Sequence, residues 1–206
     1  MNIDPISTRI FYPLVITFLR LFSVIFGPFR VWGHRNIPKK DGALVLSNHP
    51  SVVDPVFIQS SCRRRMYFMT KRELFSIPIL GKFISWLGAF PVRQNVADRK
   101  ALLHAIKVLE SGNLVVIFPE GQTSETGELQ PVLRGSAWIA QRAGVPIICC
   151  GIKNTEKICA YGKFIPKPAF RLIKVRWGQP KLFAKDTPQV EIADWIQQEL
   201  TRLTKD

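Results

Sequence analysis

A histidine and an aspartate, His49 and Asp54, lie five positions apart in a polar cluster that directly follows a short apolar run. On one regular helix their side chains would point about 140° apart, because five residues turn the chain through about 500°. They can meet only if His49 lies in a loop and the helix begins near Pro50 or Ser51, and a proline is well tolerated in a first helical turn. Asp54 then hydrogen-bonds one imidazole nitrogen and leaves the other as a general base.

This pair forms two thirds of a Ser-His-Asp triad, with the serine missing. A hydroxyl group of the substrate can take the place of the serine, which is the arrangement expected for acyl transfer to an alcohol. The alternative interpretation is that His49 and Asp54 merely cap a helix.

Two further polar clusters also follow short runs of strand-like sequence. In residues 118–124, Glu120 offers a carboxylate and Gly121 allows the backbone to approach a ligand closely. The other cluster, residues 88–93, ends at Arg93, whose guanidinium can form a forked pair of hydrogen bonds with a phosphate. Taken alone, residues 118–124 are also typical of a surface turn.

The remaining histidines and the cysteines show no metal-binding pattern. His34, His49 and His104 are far apart in the sequence and lack ligand spacing, so no metal is expected. None of the four cysteines forms a C-x-x-C pair, which predicts reduced thiols in a cytosolic protein. Cys149 and Cys150 lie in an apolar run and are expected to pack in the core.

Apolar runs of strand length alternate along the chain with segments of helical periodicity. The predicted buried strands are residues 43–46, 66–69, 114–118, 146–152 and 170–177. The predicted helices are residues 96–110, 134–142 and 190–203. This alternation predicts a single α/β domain with a mostly parallel or mixed sheet flanked by helices.

An almost entirely apolar stretch, residues 11–29, precedes these elements and is just long enough to cross a bilayer. Arg20 in the middle of a span is costly, and Pro13 and the pair Gly27 and Pro28 are expected to shorten the continuous helix. We therefore predict a helix that lies in one leaflet of a membrane.

The predicted division is a membrane-associating segment at residues 1–32 and a catalytic domain at residues 33–206. Basic side chains are dense over residues 30–40, directly after the apolar stretch. Such residues favour the cytoplasmic face of a membrane and its anionic lipids, so we expect a membrane-associated protein at that face.

The charge of the chain is strongly positive, with 29 Lys and Arg against 15 Asp and Glu and a net charge of +14 at pH 7. Anionic lipid headgroups, phosphorylated substrates and nucleic acid are all attracted by such a field. The cations are scattered between apolar runs, with no basic arm and no alternation with aromatic residues, so no nucleic-acid partner is predicted. The length of 206 residues suits one compact domain.

The three polar clusters, in this order and at this spacing, resemble the motifs of the glycerolipid acyltransferase family, whose best-known members are the 1-acylglycerol-3-phosphate acyltransferases. The N-H-x-x-x-x-D, G-x-F-x-x-R-like and F-P-E-G motifs occur as Asn48, His49 and Asp54; Gly88, Phe90 and Arg93; and Phe118, Pro119, Glu120 and Gly121. A fourth motif, V-P-I-x-P, begins at Val145, but Cys149 stands where the family has its last proline. The resemblance runs from about residue 31 to about residue 177.

This resemblance implies that His49 is the base and Asp54 its orienting partner. The residues implied to serve the acyl acceptor and its phosphate are Lys71, Arg93, Glu120 and Gly121. The family usually has F-P-E-G-T-R-S, and here Thr123 replaces the arginine expected to bind the phosphate. Either Arg134 or Arg93 compensates for this loss, or the acceptor is a different one.

The activity implied is transfer of a fatty acyl group from acyl-CoA or acyl carrier protein to the free hydroxyl of lysophosphatidic acid. The product would be phosphatidic acid, in phospholipid biosynthesis. Transfer is expected to be direct, with no acyl-enzyme, no metal and no cofactor besides the acyl donor. The expected partners are a lysophospholipid acceptor, the acyl donor and an anionic membrane surface.

Three alternatives stay open at this point. The chain can acylate another lysolipid or glycerol-3-phosphate, or it can be a non-catalytic membrane lipid-binding protein. A thiol or serine hydrolase would combine His49 and Asp54 with Cys149, Cys150 or Ser136, but the sequence contains no G-x-S-x-G elbow.

Overall fold

The five apolar runs predicted as strands all lie in one seven-stranded sheet. The computed structural model describes residues 5–94, 96, 98–163 and 165–205, with only the backbone described for residues 5–12 and 15. The strands are β1 (Phe29–Trp32), β2 (Ala43–Ser47), β3 (Met66–Lys71), β4 (Phe90–Val92), β5 (Leu114–Ile117), β6 (Ile147–Lys153) and β7 (Ile173–Trp177). The helices are α1 (Pro5–Phe26), α2 (Asp54–Ser60), α3 (Pro78–Trp86), α4 (Arg99–Glu110), α5 (Gly135–Ala143) and α6 (Gln189–Thr204).

The strands follow the order β1-β7-β6-β2-β5-β3-β4 across the sheet. The five strands from β6 to β4 in this order are mutually parallel, whereas β7 runs antiparallel to β6 and β1 runs parallel to β7. The prediction of an α/β domain with a mixed sheet is therefore confirmed. The carboxyl ends of the five parallel strands meet at one edge, which is where α/β folds place reactive groups.

The central strands are buried on both faces, which explains why their sequences are continuously apolar. On one face, Val45 and Val116 pack with Phe57 and Ile58 of α2. On the other face, helices α4, α5 and α6 cover the sheet, with the side chains of Leu44, Leu46, Ile106, Ile139 and Ile196 in one cluster. The sheet is thus a rigid platform for the loops at its carboxyl edge.

The N-terminal apolar stretch forms α1, and the prediction that Pro13 shortens this helix is wrong, since Pro13 lies inside it. A proline removes only one main-chain hydrogen bond, and the turns that follow are held by packing of Ile16, Leu19 and Ser23 against the protein. The helix ends at Phe26, directly before the Gly27 and Pro28 pair. Within the residues described above, no helix is both long enough and apolar enough to cross a membrane.

The strand β1 follows α1 and pairs with β7 at the edge of the sheet, from Phe29 beside Ile173 to Trp32 beside Arg176. These four residues belong to the N-terminal segment in the division made from the sequence. The division at residue 32 into two parts itself stays a prediction.

Replacing Gly151 with alanine is expected to lower the free energy of unfolding by about 1–3 kcal/mol, because it overpacks the contact between β6 and α6. A Cβ atom at Gly151 would lie 2.6 Å from Cβ of Leu203 and 2.8 Å from its carbonyl carbon. Gly135→Ala in α5 is the control, since a Cβ there meets nothing within 4 Å. Urea denaturation of both variants measures the difference, and equal stabilities would contradict this packing.

Candidate active site

The loop after β2 brings His49 and Asp54 together. His49 Nδ1 lies 2.8 Å from Asp54 Oδ2, and His49 is outside any helix. The predicted helix start near Pro50 or Ser51 is wrong, because α2 begins at Asp54 itself. The reason is a tight turn closed by the same carboxylate, since Asp54 Oδ2 also accepts a hydrogen bond of 2.8 Å from the Ser51 N–H.

Asp54 is completely buried and accepts hydrogen bonds at both carboxylate oxygens. Besides the bonds from His49 and Ser51, its Oδ1 accepts a bond of 2.5 Å from Thr155 Oγ1. Burial raises the pKa of Asp54 above its usual value, and the hydrogen bonds from His49, Thr155 and Ser51 oppose that rise. Sequence reasoning missed Thr155, which lies 101 positions from Asp54 in a short turn after β6. No local sequence signal links the two.

Thr155→Val is expected to lower the free energy of unfolding by about 1–3 kcal/mol, because it leaves a buried carboxylate oxygen without its donor while keeping the side-chain shape. Thr201→Val on α6 is the matched control, since its hydroxyl bonds to the Gln197 carbonyl at an exposed position. Chemical denaturation of the two variants distinguishes them. If Thr155→Val is no less stable than the control, Thr155 does not support Asp54.

The main chain and ring of His49 are held by the second polar cluster. The His49 N–H donates to Glu120 Oε1 at 2.8 Å, and its carbonyl accepts from the Ser124 N–H at 2.8 Å. The imidazole stacks on the ring of Phe118 with the centroids 3.7 Å apart and the planes within 13°. Within the described part of the chain, Nε2 has no hydrogen-bond partner, and the side chain is 15% exposed. Nε2 is therefore free to bind a proton from a substrate.

Asn48, the residue before His49, joins the loop to β6. Its Oδ1 accepts from the Ile152 N–H and its Nδ2 donates to the Ile152 carbonyl, both at 2.8 Å. The side chain thus pairs with β6 as the main chain of a neighbouring strand would. It fixes the position of the loop relative to the turn that carries Thr155.

Glu120 is buried and uses both carboxylate oxygens to hold main-chain groups. Oε1 accepts from His49 and Oε2 accepts from the Gln130 N–H at 2.9 Å. Burial raises the pKa of Glu120 above its usual value, and the main-chain bonds from Gln130 and His49 oppose the rise. The carboxylate thus joins the His49 loop to the loop between β5 and α5, which carries both Glu120 and Gln130.

Glu120→Gln is expected to flatten the pH dependence of the free energy of unfolding. Since the pKa of Glu120 is raised above 4.5, the folded chain keeps a proton over a pH range in which the unfolded chain has released it. Its contribution to stability is complete below pH 4.5 and is lost as pH rises through the raised pKa. Glutamine does not titrate in this range. In the variant, the fall of the free energy of unfolding with rising pH is therefore shallower by at most about 1.4 kcal/mol per pH unit. Urea denaturation at a series of pH values tests this, and a slope no shallower than that of the exposed-site control Glu125→Gln contradicts it.

The predicted phosphate-binding residues lie around the same edge. Lys71 ends β3, and its Cα pairs with Val92 of β4, so that Arg93 follows immediately beside it. Arg93 is exposed, and its Nε lies 3.3 Å from Asp98 Oδ2. No hydrogen bond or ion pair in the described parts of the chain joins Lys71, Arg93 or Arg134 to the His49–Asp54 dyad.

Gly121 and Arg134 complete this edge. Gly121 has a left-handed φ of 77°, which explains a glycine at this turn, and its carbonyl accepts from Gln94 Nε2. The Leu133 N–H donates to the Pro119 carbonyl at 2.8 Å, which places the exposed Arg134, at the start of α5, beside the Glu120 loop. Gln94, next to Arg93, was not singled out from the sequence, and it joins the two loops.

The side chains that would serve as nucleophile if the protein were a hydrolase are poorly placed to attack a substrate. Cys149 and Cys150 are fully buried in β6, and burial raises the pKa of both thiols far above their usual value. Ser136 is buried in α5, and its hydroxyl donates to the Leu133 carbonyl. Within the described residues, no three His, Cys, Asp or Glu side chains come together as ligands for a metal.

The chain is similar to known acyltransferases. Residues 28–153, more than half of the chain, match the protein family described as Acyltransferase. A chloroplastic 1-acyl-sn-glycerol-3-phosphate acyltransferase of Brassica napus is 31% identical over 137 residues, which cover 64% of this chain and 39% of that protein. The 1-acyl-sn-glycerol-3-phosphate acyltransferase of Bacillus subtilis is 28% identical over 138 residues, which cover 66% of this chain and 68% of that protein.

The fold has a match among solved structures as well. The crystal structure of the 1-acyl-sn-glycerophosphate acyltransferase from Thermotoga maritima superposes with a TM-score of 0.76 at 24% identity, over 98% of this chain and 82% of that one. This likeness concerns the fold. The match to the Brassica protein spans well under half of that relative's length. On the extent of the family match, this chain belongs to the acyltransferase family.

Proposed function

We propose that this protein transfers a fatty acyl group from the thioester of acyl-CoA or acyl carrier protein to the free hydroxyl of lysophosphatidic acid, which gives phosphatidic acid for phospholipid biosynthesis. The observation that carries this proposal is the His49–Asp54 dyad, with Nδ1 and Oδ2 2.8 Å apart and Nε2 left for substrate. The names of the Brassica and Bacillus relatives support the choice of acceptor.

The dyad acts as a base on the acceptor. Asp54 orients the imidazole and stabilises its charged form, while Nε2 of His49 takes the proton of the acceptor hydroxyl. The alkoxide attacks the thioester carbonyl, and main-chain N–H groups of the loops at this edge stabilise the tetrahedral oxyanion. The carbon–sulfur bond then breaks, and the thiolate leaves and takes up the proton from the imidazolium. The reaction needs no acyl-enzyme, no metal and no further cofactor.

We propose that the cationic side chains at this edge of the sheet bind the phosphate of the acceptor. Lys71, Arg93 and Arg134 are exposed, and the left-handed turn at Gly121 lies between the loops that carry Arg93 and Arg134. Thr123 stands where the family usually has an arginine that binds the phosphate, and we propose that Arg134 supplies the missing positive charge. Glu120, implied by the resemblance to serve the acceptor, is here proposed to act through His49, because both of its oxygens already accept main-chain bonds.

Membrane association at the cytoplasmic face is part of the proposal. Large apolar side chains of α1 are more than half exposed at Leu14, Phe18, Leu21, Val24 and Ile25. A helix with such a face lies in the membrane interface when basic residues are nearby, and the net charge of +14 favours anionic lipids. The partners proposed are therefore the lysophospholipid, the acyl donor and this membrane surface, with no nucleic acid.

The test is to incubate purified protein in anionic lipid micelles with labelled acyl-CoA or acyl carrier protein and a panel of acceptors. Labelled phosphatidic acid from lysophosphatidic acid supports the proposal. Product formed only from glycerol-3-phosphate or another lysolipid contradicts the acceptor and keeps the reaction. No product from any acceptor, by protein that still binds the micelles, would favour a non-catalytic lipid-binding protein.

A further inference from the structure

A groove of about 770 Å³ lies between α1, β1 and the carboxyl end of α2. We propose that this groove, called here the α1 groove, binds the phosphate headgroup of an anionic phospholipid in the membrane against which α1 lies. The site is separate from that of the acyl acceptor. This inference rests on the membrane association in the proposed function and adds a defined lipid site to it.

The lining of the α1 groove is cationic. The charged side chains that line it are Arg20, Lys39, Arg63 and Arg64, together with the titratable His34 and the buried thiol of Cys62. Among the residues that the structure describes, no Asp or Glu lines it. Lys39 and Arg63 are exposed and make no hydrogen bond or ion pair with any residue that the structure describes. Their charge is therefore available for an anion, and a phosphate group is the anion that a membrane surface offers at high density.

Two of the arginines are held in place by main-chain carbonyls. Arg20 Nε donates to the Ser60 carbonyl at 3.2 Å, which fixes the guanidinium against the end of α2. The guanidinium of Arg64 donates to the carbonyls of Pro38, Lys40, Asp41 and Gly112. Arg64 thus fixes the segment that carries Lys39, and the groove is formed before any ligand arrives.

The apolar face of α1 sets the depth at which the groove would meet a membrane. Leu14, Phe18, Leu21 and Ile25 are between 58% and 63% exposed and lie within about 60° of one another around the helix. Arg20 lies about 130° from the centre of this stripe, on the side of the groove. When the apolar stripe of a helix reaches the acyl chains of a membrane, residues beside the stripe lie at the level of the headgroups. We therefore expect Arg20 and the groove to lie at that level.

The α1 groove and the candidate active site share no residue. The groove is lined by segments before β2, by Ser60 at the end of α2 and by the residues that follow it, whereas His49 lies in the loop after β2 and Asp54 is the first residue of α2. The seven residues of α2 alone separate the two by about 10 Å. A lipid in the groove would therefore orient the protein on the membrane without occupying the acceptor site.

The test compares binding of the full chain to vesicles of phosphatidylcholine alone and to vesicles that also contain phosphatidylglycerol. The variant Lys39→Gln/Arg63→Gln changes two exposed side chains with no described partner, so folding should be unaffected. The control Lys107→Gln/Arg142→Gln removes the same charge from exposed positions on α4 and α5. We expect the groove variant to need at least about tenfold more phosphatidylglycerol vesicles for half-maximal binding, and the control to stay within about twofold of wild type.

Equal losses in the two variants, or no loss in either, would overturn the site and leave membrane association standing. Wild type that binds neither kind of vesicle would overturn membrane association itself. A short-chain phosphatidylglycerol should compete with vesicles for wild type, whereas inorganic phosphate at the same concentration should not, and equal competition by phosphate would contradict a lipid site. His49→Ala should bind vesicles as wild type does, which separates a failure here from a failure of the proposed acyl transfer.

Discussion

Replacing His49 with alanine is expected to lower kcat for acyl transfer by about 10²- to 10⁴-fold, the usual contribution of a general base. The variant removes the only group of the dyad that faces solvent, while Asp54 stays buried with its bonds to Ser51 and Thr155. Initial rates with a labelled donor and saturating lysophosphatidic acid give kcat and KM. Because His49 acts on the acceptor proton and not on acceptor binding, KM should change little.

His104→Ala is the matched control for this prediction. His104 is exposed on α4, where its ring lies edge-on to Phe90, and it is not part of the site. Its rate should stay within about twofold of wild type. A His49→Ala variant with the rate of wild type would show that another group is the base.

Asp54→Asn is expected to lower kcat by roughly 10³- to 10⁴-fold, the effect typical of a triad aspartate replaced in the same way. Because the Ser51 N–H and His49 Nδ1 share Oδ2, the amide is expected to keep its oxygen at that position and to direct its nitrogen to the Thr155 hydroxyl. The neutral amide then no longer stabilises the charged imidazolium that forms when His49 takes the proton of the acceptor. The initial rates of this variant, and of the exposed-site control Asp194→Asn, measure the effect.

The double variant His49→Ala/Asp54→Asn tests whether Asp54 acts through His49. If Asp54 acts through His49, the double variant should be no slower than His49→Ala alone, because the effects of residues that act as a unit do not add. Losses that multiply would mean that Asp54 acts on the substrate independently of His49.

The parts of the fold that the sequence predicted well are those with a strong local pattern. The continuous apolar runs in β2, β5 and β6 reflect burial on both faces, and the stripes of α4 and α6 reflect a single buried face. The short strand β1 was not predicted, because its sequence, with Arg30 in it, has no apolar run and depends on pairing with β7. Helix α3 was also missed, since its apolar residues Ile79 and Phe83 are exposed and show no stripe directed to a core.

The candidate site also has features that the sequence predicted and features that it did not. The need for His49 to lie in a loop followed from helix geometry alone, and the structure places it there. The place at which α2 begins was mispredicted because the Asp54 carboxylate closes its own turn with Ser51. The contact from Thr155 could not be predicted, since it depends on how distant loops meet at the sheet edge. The contact from Gln130 depends on how the long loop between β5 and α5 folds back on itself.

In the proposed reaction, the hydroxyl of the acceptor takes the place of a nucleophilic side chain. This feature of the reaction is tested by incubating wild-type protein with labelled acyl donor in the absence of acceptor, then denaturing the protein and counting the label bound to it. If transfer is direct, we expect no protein-bound label, an intact thioester, and product formation that starts without a burst once lysophosphatidic acid is added. Label that stays on the protein after denaturation, and that native protein transfers to the acceptor, would contradict direct transfer by the His49–Asp54 dyad.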